Sequence, residues 1–257
     1  MIPAERQELI LAWLAQQDVV SIAELTDRLS VSHMTVRRDI QVLEQGGRVT
    51  SVSGGVRLSR RLDHELPHLQ KAQIRTDEKK AVGRAAAALV RDGMVIYLDV
   101  GTTTLEIARG IATRRELTVV TNDFVICAWL SAHADCRLFH SGGLVERDNR
   151  SCVGPAAAEA LARFNYDIAF ISTSSWTAAS LSSPSEAKGP VKAAVLRQAQ
   201  QAVLVSDSSK YGLAAPLNIL PVTLFDTIVT DSGIGTEAVA ALQDGGAEVI
   251  LVDSFGA

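Results

Sequence analysis

The sequence predicts an α/β protein in two parts: a small helical unit closed by a β-hairpin, then a larger unit built on a mostly parallel sheet. Three observations predict it. Two serine-capped helical stretches stand close together before residue 46, each with its apolar residues on one side. An Arg-bearing hairpin pattern follows them. From residue 76 onward, helical stretches alternate with short continuous apolar runs, as expected of strands covered on both faces. At 257 residues with 47% hydrophobic content, the chain is long enough for two cores.

The first helix is expected over Ala4 to Gln16, where Leu9, Ile10, Trp13 and Leu14 share one side. Ser21 and Glu24 are spaced as a capping box, with Val20 and Leu25 as its staple and Ile22, Leu25 and Leu29 as a buried stripe. Ser32 caps the next helix, Val31 and Val36 are its staple, and Val36, Ile40 and Leu43 recur on the packed side. His33, Arg37, Arg38 and Gln41 fall largely on the other sides. Two short helices meeting at Leu29-Ser30-Val31 under a third have helix-turn-helix geometry. Arg48 to Val52, a turn at Ser53-Gly54-Gly55, and Val56 to Ser59 then read as a hairpin, or wing.

Charge placement suits phosphate binding. Residues 28 to 61 hold seven arginines against Asp39 and Glu44, a local balance of +5, whereas residues 1 to 27 hold Arg6 against five acids. The whole chain carries −4, so contact with nucleic acid belongs to this segment rather than to the entire surface. The expected partner is double-stranded operator DNA. Its contacts are expected from Ser32, His33, Thr35, Arg37, Arg38 and Gln41 on the helix, and from Arg48, Gly54, Gly55 and Arg57 on the wing.

Residues 1–60 are thus a winged helix-turn-helix domain, 61–75 a linker mixing charge, His and Pro, and 76–257 a second domain. Helices are expected over Asp77 to Arg91, Leu105 to Ala112, Phe124 to Ala132, Ala156 to Phe164 and Val191 to Gln200. Strands are expected over Met94 to Asp99, Leu117 to Thr121, Arg137 to His140, Ile168 to Ile171 and Ala202 to Val205. Two more lie near Thr227 to Thr230 and Glu248 to Val252, with a helix between them.

Ligands of open α/β sheets sit beyond the carboxyl ends of strands, and those ends are polar here. Asp99-Val-Gly101-Thr102-Thr103-Thr104 follows one strand and opens a helix, offering backbone N–H groups, hydroxyls and a positive helix end to a phosphate. No P-loop lysine accompanies it, so nucleotide hydrolysis is not indicated. Asn122-Asp123, Gly142-Gly143 and the Asp207 to Gly212 segment follow other strands, and Lys192 and Lys210 add cations. Together these imply a phosphorylated polyhydroxy ligand.

Gly233-Ile-Gly235 with Asp253 imitates a dinucleotide fingerprint, but only four residues follow Asp253, so no nucleotide cofactor is expected. Cys127, Cys136 and Cys152 lack metal-ligand spacing, which argues against structural zinc and disulfides. No signal or membrane segment is expected, which points to the cytoplasm.

The chain resembles DeoR-type transcriptional regulators along nearly its full length. Val31-Ser32, Thr35 to Asp39, Leu43-Glu44 and Gly54-Gly55 resemble the family's winged helix-turn-helix signature. Asp99, Gly101 to Thr104, Thr121-Asn122, Gly142-Gly143, Val191-Lys192 and Asp207 to Gly212 resemble its sensor domain. The resemblance implies an effector domain related in fold to ribose-5-phosphate isomerase and coenzyme A transferases. It further implies a sugar-phosphate or sugar-acid phosphate effector, a phosphate cradle in the Thr-rich loop, and a homo-oligomeric repressor, dimer or tetramer. The departure lies at Ser172 to Ser185, where nine of fourteen residues are Ser or Thr. With Trp176 and Glu186, this run is either a reader of sugar hydroxyls or a surface loop. A competing class is an aldose-phosphate isomerase-like enzyme using Asp99, Glu186, Lys192 and Lys210 as proton carriers. The N-terminal domain disfavours it, and no catalytic residue is assigned.

Overall fold

A computed structural model describes residues 1–52 and 55–253. Its first unit comprises α1 (Pro3–Leu14), α2 (Ile22–Leu29), α3 (His33–Gln45), β1 (Val49–Val52) and β2 (Gly55–Leu58). Pro3 opens α1, where a missing N–H costs nothing. Ser21 Oγ accepts from the Glu24 N–H at 3.1 Å, and Ser32 Oγ accepts from the Thr35 N–H at 3.2 Å. The capping box at α2 is only half made: the Glu24 carboxylate pairs with Arg28 at 2.5 Å. Ser30, in the left-handed region at φ 52°, ends α2 and turns the chain into α3. Ile10, Leu14, Leu25, Leu29, Val36, Ile40 and Leu43 close a core with Val49 and Val56 of the hairpin. Val20 bridges Val56, and a Cβ on Gly55 would lie 2.3 Å from the Val20 carbonyl oxygen. Gly55 therefore lets the wing lie flat against the segment before α2. The rest of the expected turn, Ser53-Gly54, lies outside the described residues.

The segment expected to be all linker carries β3 (Arg60–Arg61) and α4 (His68–Lys71). There follow α5 (Thr76–Ala88), β4 (Val95–Leu98), α6 (Thr102–Gly110), β5 (Thr118–Thr121), α7 (Phe124–His133) and β6 (Arg137–His140). A hairpin of β7 (Leu144–Glu146) and β8 (Ser151–Val153) leads to α8 (Pro155–Leu161) and β9 (Tyr166–Ser172). Next come β10 (Ser175–Trp176), β11 (Ser180–Ser183), α9 (Lys188–Leu196) and β12 (Ala199–Val205). The chain finishes through β13 (Leu213–Ala214), β14 (Leu217–Pro221), β15 (Thr227–Asp231), α10 (Thr236–Asp244) and β16 (Glu248–Val252). Helix α9 begins and ends earlier than expected, because β12 takes up Ala199 and Gln200. The Ser/Thr run is ordered structure: β10, β11 and β14 form a three-stranded antiparallel sheet.

The main sheet has seven parallel strands in the order β16-β15-β12-β9-β4-β5-β6. Successive residues point to opposite faces, so each strand feeds two cores. Tyr97, Ala169, Ile171, Leu204 and Ile228 pack on one side, and Ile96, Leu98, Ile168, Phe170, Val203 and Val229 on the other. The chain builds outward from β4 through β5 to β6, then returns to β9 and builds the opposite way. The boundary between β4 and β9 is therefore the topological switch point, where a crevice opens beyond the strands' carboxyl ends. No helix among the described residues is long and apolar enough to cross a membrane.

Candidate functional site

Helix α3 presents Ser32, His33, Arg37, Arg38 and Gln41 exposed, with Thr35 half-buried beside its cap. Asp39, on the same helix, is buried by a two-pronged pair with Arg6, whose Nε lies 2.6 Å and Nη2 3.1 Å from the two carboxylate oxygens. That pair fastens α1 across α3 and leaves Arg37 and Arg38 outside the bond. Among the wing positions, Arg48 is exposed and pairs with Glu8 at 3.0 Å. Arg57 is half-buried, and its Nε has no hydrogen-bond partner among the described residues. Gly55 is buried against Val20, and Gly54 lies outside the described residues.

The crevice at the switch point is a narrow cleft, open to solvent, beyond the carboxyl ends of β4 and β9. Gly101, Thr102 and Thr103 form one wall at the start of α6, with Ser172, Thr173 and Ser174 at the end of β9 facing them. Gly101 donates its N–H to Asp123 Oδ2 at 3.1 Å, and Thr104 Oγ1 donates to the Gly101 carbonyl at 2.9 Å. These bonds fix the turn from behind and point the helix end into the crevice. Lysines 71, 79, 188, 192 and 210 also line it, against the carboxylates Glu65 and Asp207. The excess of cation, the hydroxyls and the helix end together make a receptor for an anionic, hydroxyl-bearing ligand.

The buried charges at the crevice are paired or hydrogen-bonded. Lys192 Nζ pairs with Asp99 and donates to the Ser172 carbonyl at 3.0 Å. Asp99 also accepts the Ser172 N–H at 3.0 Å and the Tyr97 hydroxyl at 3.2 Å, which ties the ends of β4 and β9 together. Lys79 Nζ donates to the Lys71 and Ile74 carbonyls, and burial pushes the pKa of its ammonium down. Lys188 pairs with Glu65 at 2.7 Å and Glu146 at 3.4 Å, and Lys71 reaches Glu65 at 3.4 Å. Burial alone would raise the Glu65 carboxyl, but Lys188 and Lys71 outweigh it and hold the group at about 2.

Of the residues expected to bind an effector, Gly101, Thr102, Thr103, Lys192, Asp207 and Lys210 line the crevice, with Asp99 directly behind Lys192. Thr104 is buried in the turn. Asn122 accepts from the Tyr97 hydroxyl at 2.9 Å and donates to the Cys152 carbonyl at 2.9 Å, away from the lining. Asp123 caps α7, accepting from Val125 and Ile126 at 2.6 and 3.0 Å, and burial raises its pKa to about 6. Gly142 and Gly143 turn the chain into the β7–β8 hairpin at φ 64° and 113°. Trp176 is fully buried, donating Nε1–H to Ser206 Oγ at 3.1 Å, and Glu186 lies in the turn before α9 without lining the crevice. Sequence reasoning missed Glu65, Lys71, Lys79 and Lys188. Only Lys188 carried a signal, standing four residues before Lys192 on one helix face.

Family comparisons agree with this division of labour. A family described as the DeoR-like helix-turn-helix domain matches residues 6–61, and one described as the DeoR C terminal sensor domain matches residues 74–232. The chain is 49% identical to an HTH-type transcriptional regulator of Haemophilus influenzae, covering 98% of each protein. It is 50% identical to the HTH-type transcriptional regulator YgbI of Escherichia coli, over 94% of this chain and 95% of that one. A more distant relative is the lactose phosphotransferase system repressor of Lactococcus lactis, 29% identical over 90% of this chain and 92% of that protein. Among solved structures, ribose 5-phosphate isomerase A of Methanocaldococcus jannaschii is similar over 53% of this chain and 54% of its own. That likeness, at 22% identity and TM-score 0.38, concerns the fold alone. With the sensor-domain match spanning more than half of the sequence, and relatives at half identity along almost all of it, the chain belongs to the DeoR family of helix-turn-helix transcriptional regulators.

Proposed function

We propose that this regulator is a cytoplasmic, homo-oligomeric repressor of a carbohydrate or sugar-acid catabolic operon, controlled by a phosphorylated sugar or sugar acid. Arg37, Arg38, Thr35 and Gln41 contact the operator through the major groove, and the wing arginines contact its backbone. The effector lies in the crevice with its phosphate at the Gly101 to Thr104 turn, on the N–H groups and hydroxyls of Thr102 and Thr103. The observation that carries this reading is the crevice itself: a helix start, five lysines and a wall of hydroxyls gathered at the sheet's switch point. The sugar repressor among its relatives supports the ligand class.

The regulator turns nothing over. Asp99 is committed to Lys192 and Ser172, Glu65 to Lys188, and Asp207 accepts the Ser209 N–H at 3.2 Å, so the carboxylates at the crevice are spent on structural bonds rather than poised as bases. Incubation with pentose phosphates is expected to give no isomerised product.

A panel of sugar and sugar-acid phosphates, read by thermal stabilisation, tests the assignment. A ligand at a hundred times its Kd raises stability by about 2.7 kcal/mol. Thr103→Asp is expected to abolish the shift of whichever compound stabilises the wild type, while keeping its fold, because an acid in the first turn of α6 suits the helix end. A variant still stabilised at unchanged concentration would place the phosphate elsewhere.

A further inference from the structure

The segment between the two domains is exposed for most of its length: Asp63, His64 and Leu66 face solvent. Glu65, among them, is turned inward with its side chain only 9% exposed. Its Oε2 accepts from Lys188 Nζ at 2.7 Å and Lys71 Nζ at 3.4 Å, and its Oε1 from Ser174 Oγ at 2.8 Å and Ser183 Oγ at 3.4 Å. Lys188, Ser174 and Ser183 come from elements more than a hundred residues away in sequence. Two cations and two hydroxyls around one carboxylate form a complete oxyanion site, and here the oxyanion is supplied by the chain itself. That site opens into the same crevice as Thr102 and Thr103.

We propose that Lys71 and Lys188 form a second anion-binding site, filled in cis by Glu65 and taken over by a carboxylate or phosphate group of the bound ligand. The inference rests on the crevice being the ligand site. A ligand anion entering this end meets Glu65 as a like charge and Lys71 and Lys188 as opposite charges, so it gains most by replacing Glu65 on the same donors. Displacement releases the one carboxylate that pins residues 62–67 to the sensor domain. Those residues follow directly on β3, whose Arg60 donates its N–H to the Gly212 carbonyl at 2.9 Å beside the reading head. Glu65 is thus a tethered competitor, holding the linker docked until a stronger anion arrives. A tethered group competes at an effective concentration in the millimolar range, so its removal is expected to strengthen anion binding by about tenfold or more.

Glu65→Gln keeps the shape and removes the charge, and the full-length protein is the material for the test. Inorganic phosphate and acetate serve as separate probes in calorimetric titrations of wild type, Glu65→Gln and Glu65→Gln/Lys188→Gln. The expected result is binding about tenfold tighter to Glu65→Gln than to wild type, lost again in the double variant. A gain for phosphate, acetate or both supports the site and says which group it favours. Hydrogen exchange supplies a ligand-free readout: the Leu62 and His68 amides, which donate to the Ala214 and Asp148 carbonyls on either side of Glu65, are expected to exchange faster in Glu65→Gln than in wild type. Phosphate should accelerate them in wild type. Equal affinity of wild type and Glu65→Gln for both probes, a gain that survives Lys188→Gln, or unchanged exchange of the Leu62 and His68 amides would each overturn the proposal. Phosphate binding to wild type without a Glu65→Gln gain for either probe would leave the crevice as the ligand site and remove only this second anion site. Absence of binding of either probe to both proteins would overturn the two together.

Discussion

Arg37 and Arg38 stand exposed on the first turns of α3, while Asp39 beside them is buried against Arg6. Removing either arginine should therefore cost DNA contacts without loosening the helix. Arg37→Ala and Arg38→Ala are each expected to weaken operator binding in fluorescence anisotropy, with an unchanged circular dichroism melt. A phosphate contact lowers the salt slope by about one for all sequences, whereas a base contact costs about 1–3 kcal/mol at one position. Wild-type affinity in both variants would contradict the reading face. At this scale the sequence was readable where cause and effect are neighbours. Ser21 and Ser32 cap helices whose N–H groups lie three residues away, and both caps stand in the structure. The buried acids were not readable, since Asp39 finds Arg6 from another helix and Glu44 finds Tyr211 from another domain. Trp176 misled for a related reason: it stands in a hydroxyl-rich run that reads as a sugar-facing or surface loop, but its ring is buried against Tyr211.

Among the elements, the linker carries a pH dependence of its own. The Glu65 carboxyl sits at about 2 in the folded chain against an ordinary 4.5, a depressed value set by Lys188 and Lys71 against the opposing pull of burial. A depressed carboxyl contributes stability that is fully present above about 4.5 and is lost as pH falls towards 2. The contribution is on the order of 3 kcal/mol. The charged groups facing Glu65 are Lys71 on α4 and Lys188 on α9, with Glu146 on β7 sharing Lys188. Protection of the Leu62 and His68 amides, corrected for intrinsic exchange rates, is expected to hold from pH 7 to 5 and fall below 4.5. In Glu65→Gln it should be low and flat, and a parallel fall in that variant would assign the titration to another group. The long elements were legible because the apolar runs of β4, β5, β9 and β12 are continuous and buried on both faces. The short ones were not: β3 has two residues, and β10 and β11 are built from serines that bond to one another and to neighbouring carbonyls. Nor does any local pattern in Arg61 to Gln70 announce that one glutamate finds its partners beyond residue 170.

At the scale of the whole molecule, the crevice and the reading head are joined by one loop. Asp207 and Lys210 line the crevice, and the next residue, Tyr211, donates its hydroxyl to Glu44 of α3 at 2.9 Å. Glu44 also accepts the Ser51 N–H and hydroxyl at 2.8 and 2.9 Å, so one carboxylate holds the recognition helix, the wing and the sensor loop. Burial and Glu44 raise the Tyr211 pKa and keep it a donor. Gly212, at φ 80°, packs so closely on the wing that a Cβ would lie 2.5 Å from Thr50 Cγ2. β13 then pairs with β3 at Leu213 and Arg60. A displaced loop would move α3 and the wing together, because all three share these bonds. Gly212→Ala combines a left-handed backbone with a clash, and is expected to destabilise the docked arrangement by about 1–3 kcal/mol. It should bind a stabilising sugar phosphate like wild type while transmitting less of that binding to DNA. Full transmission in Gly212→Ala would show that the signal travels by another route.

The most direct test of the account is operator affinity measured by fluorescence anisotropy while a stabilising sugar phosphate is titrated, in wild type and in Thr103→Asp. Wild-type affinity is expected to change with the metabolite. Thr103→Asp should bind the operator as wild type does without metabolite and stay unmoved by it, since unit charges near 4 Å repel by about 4 kcal/mol at an effective dielectric of 20, roughly a thousandfold in affinity. A variant whose operator affinity shifts at the same metabolite concentration as wild type would contradict a phosphate held by Gly101 to Thr104.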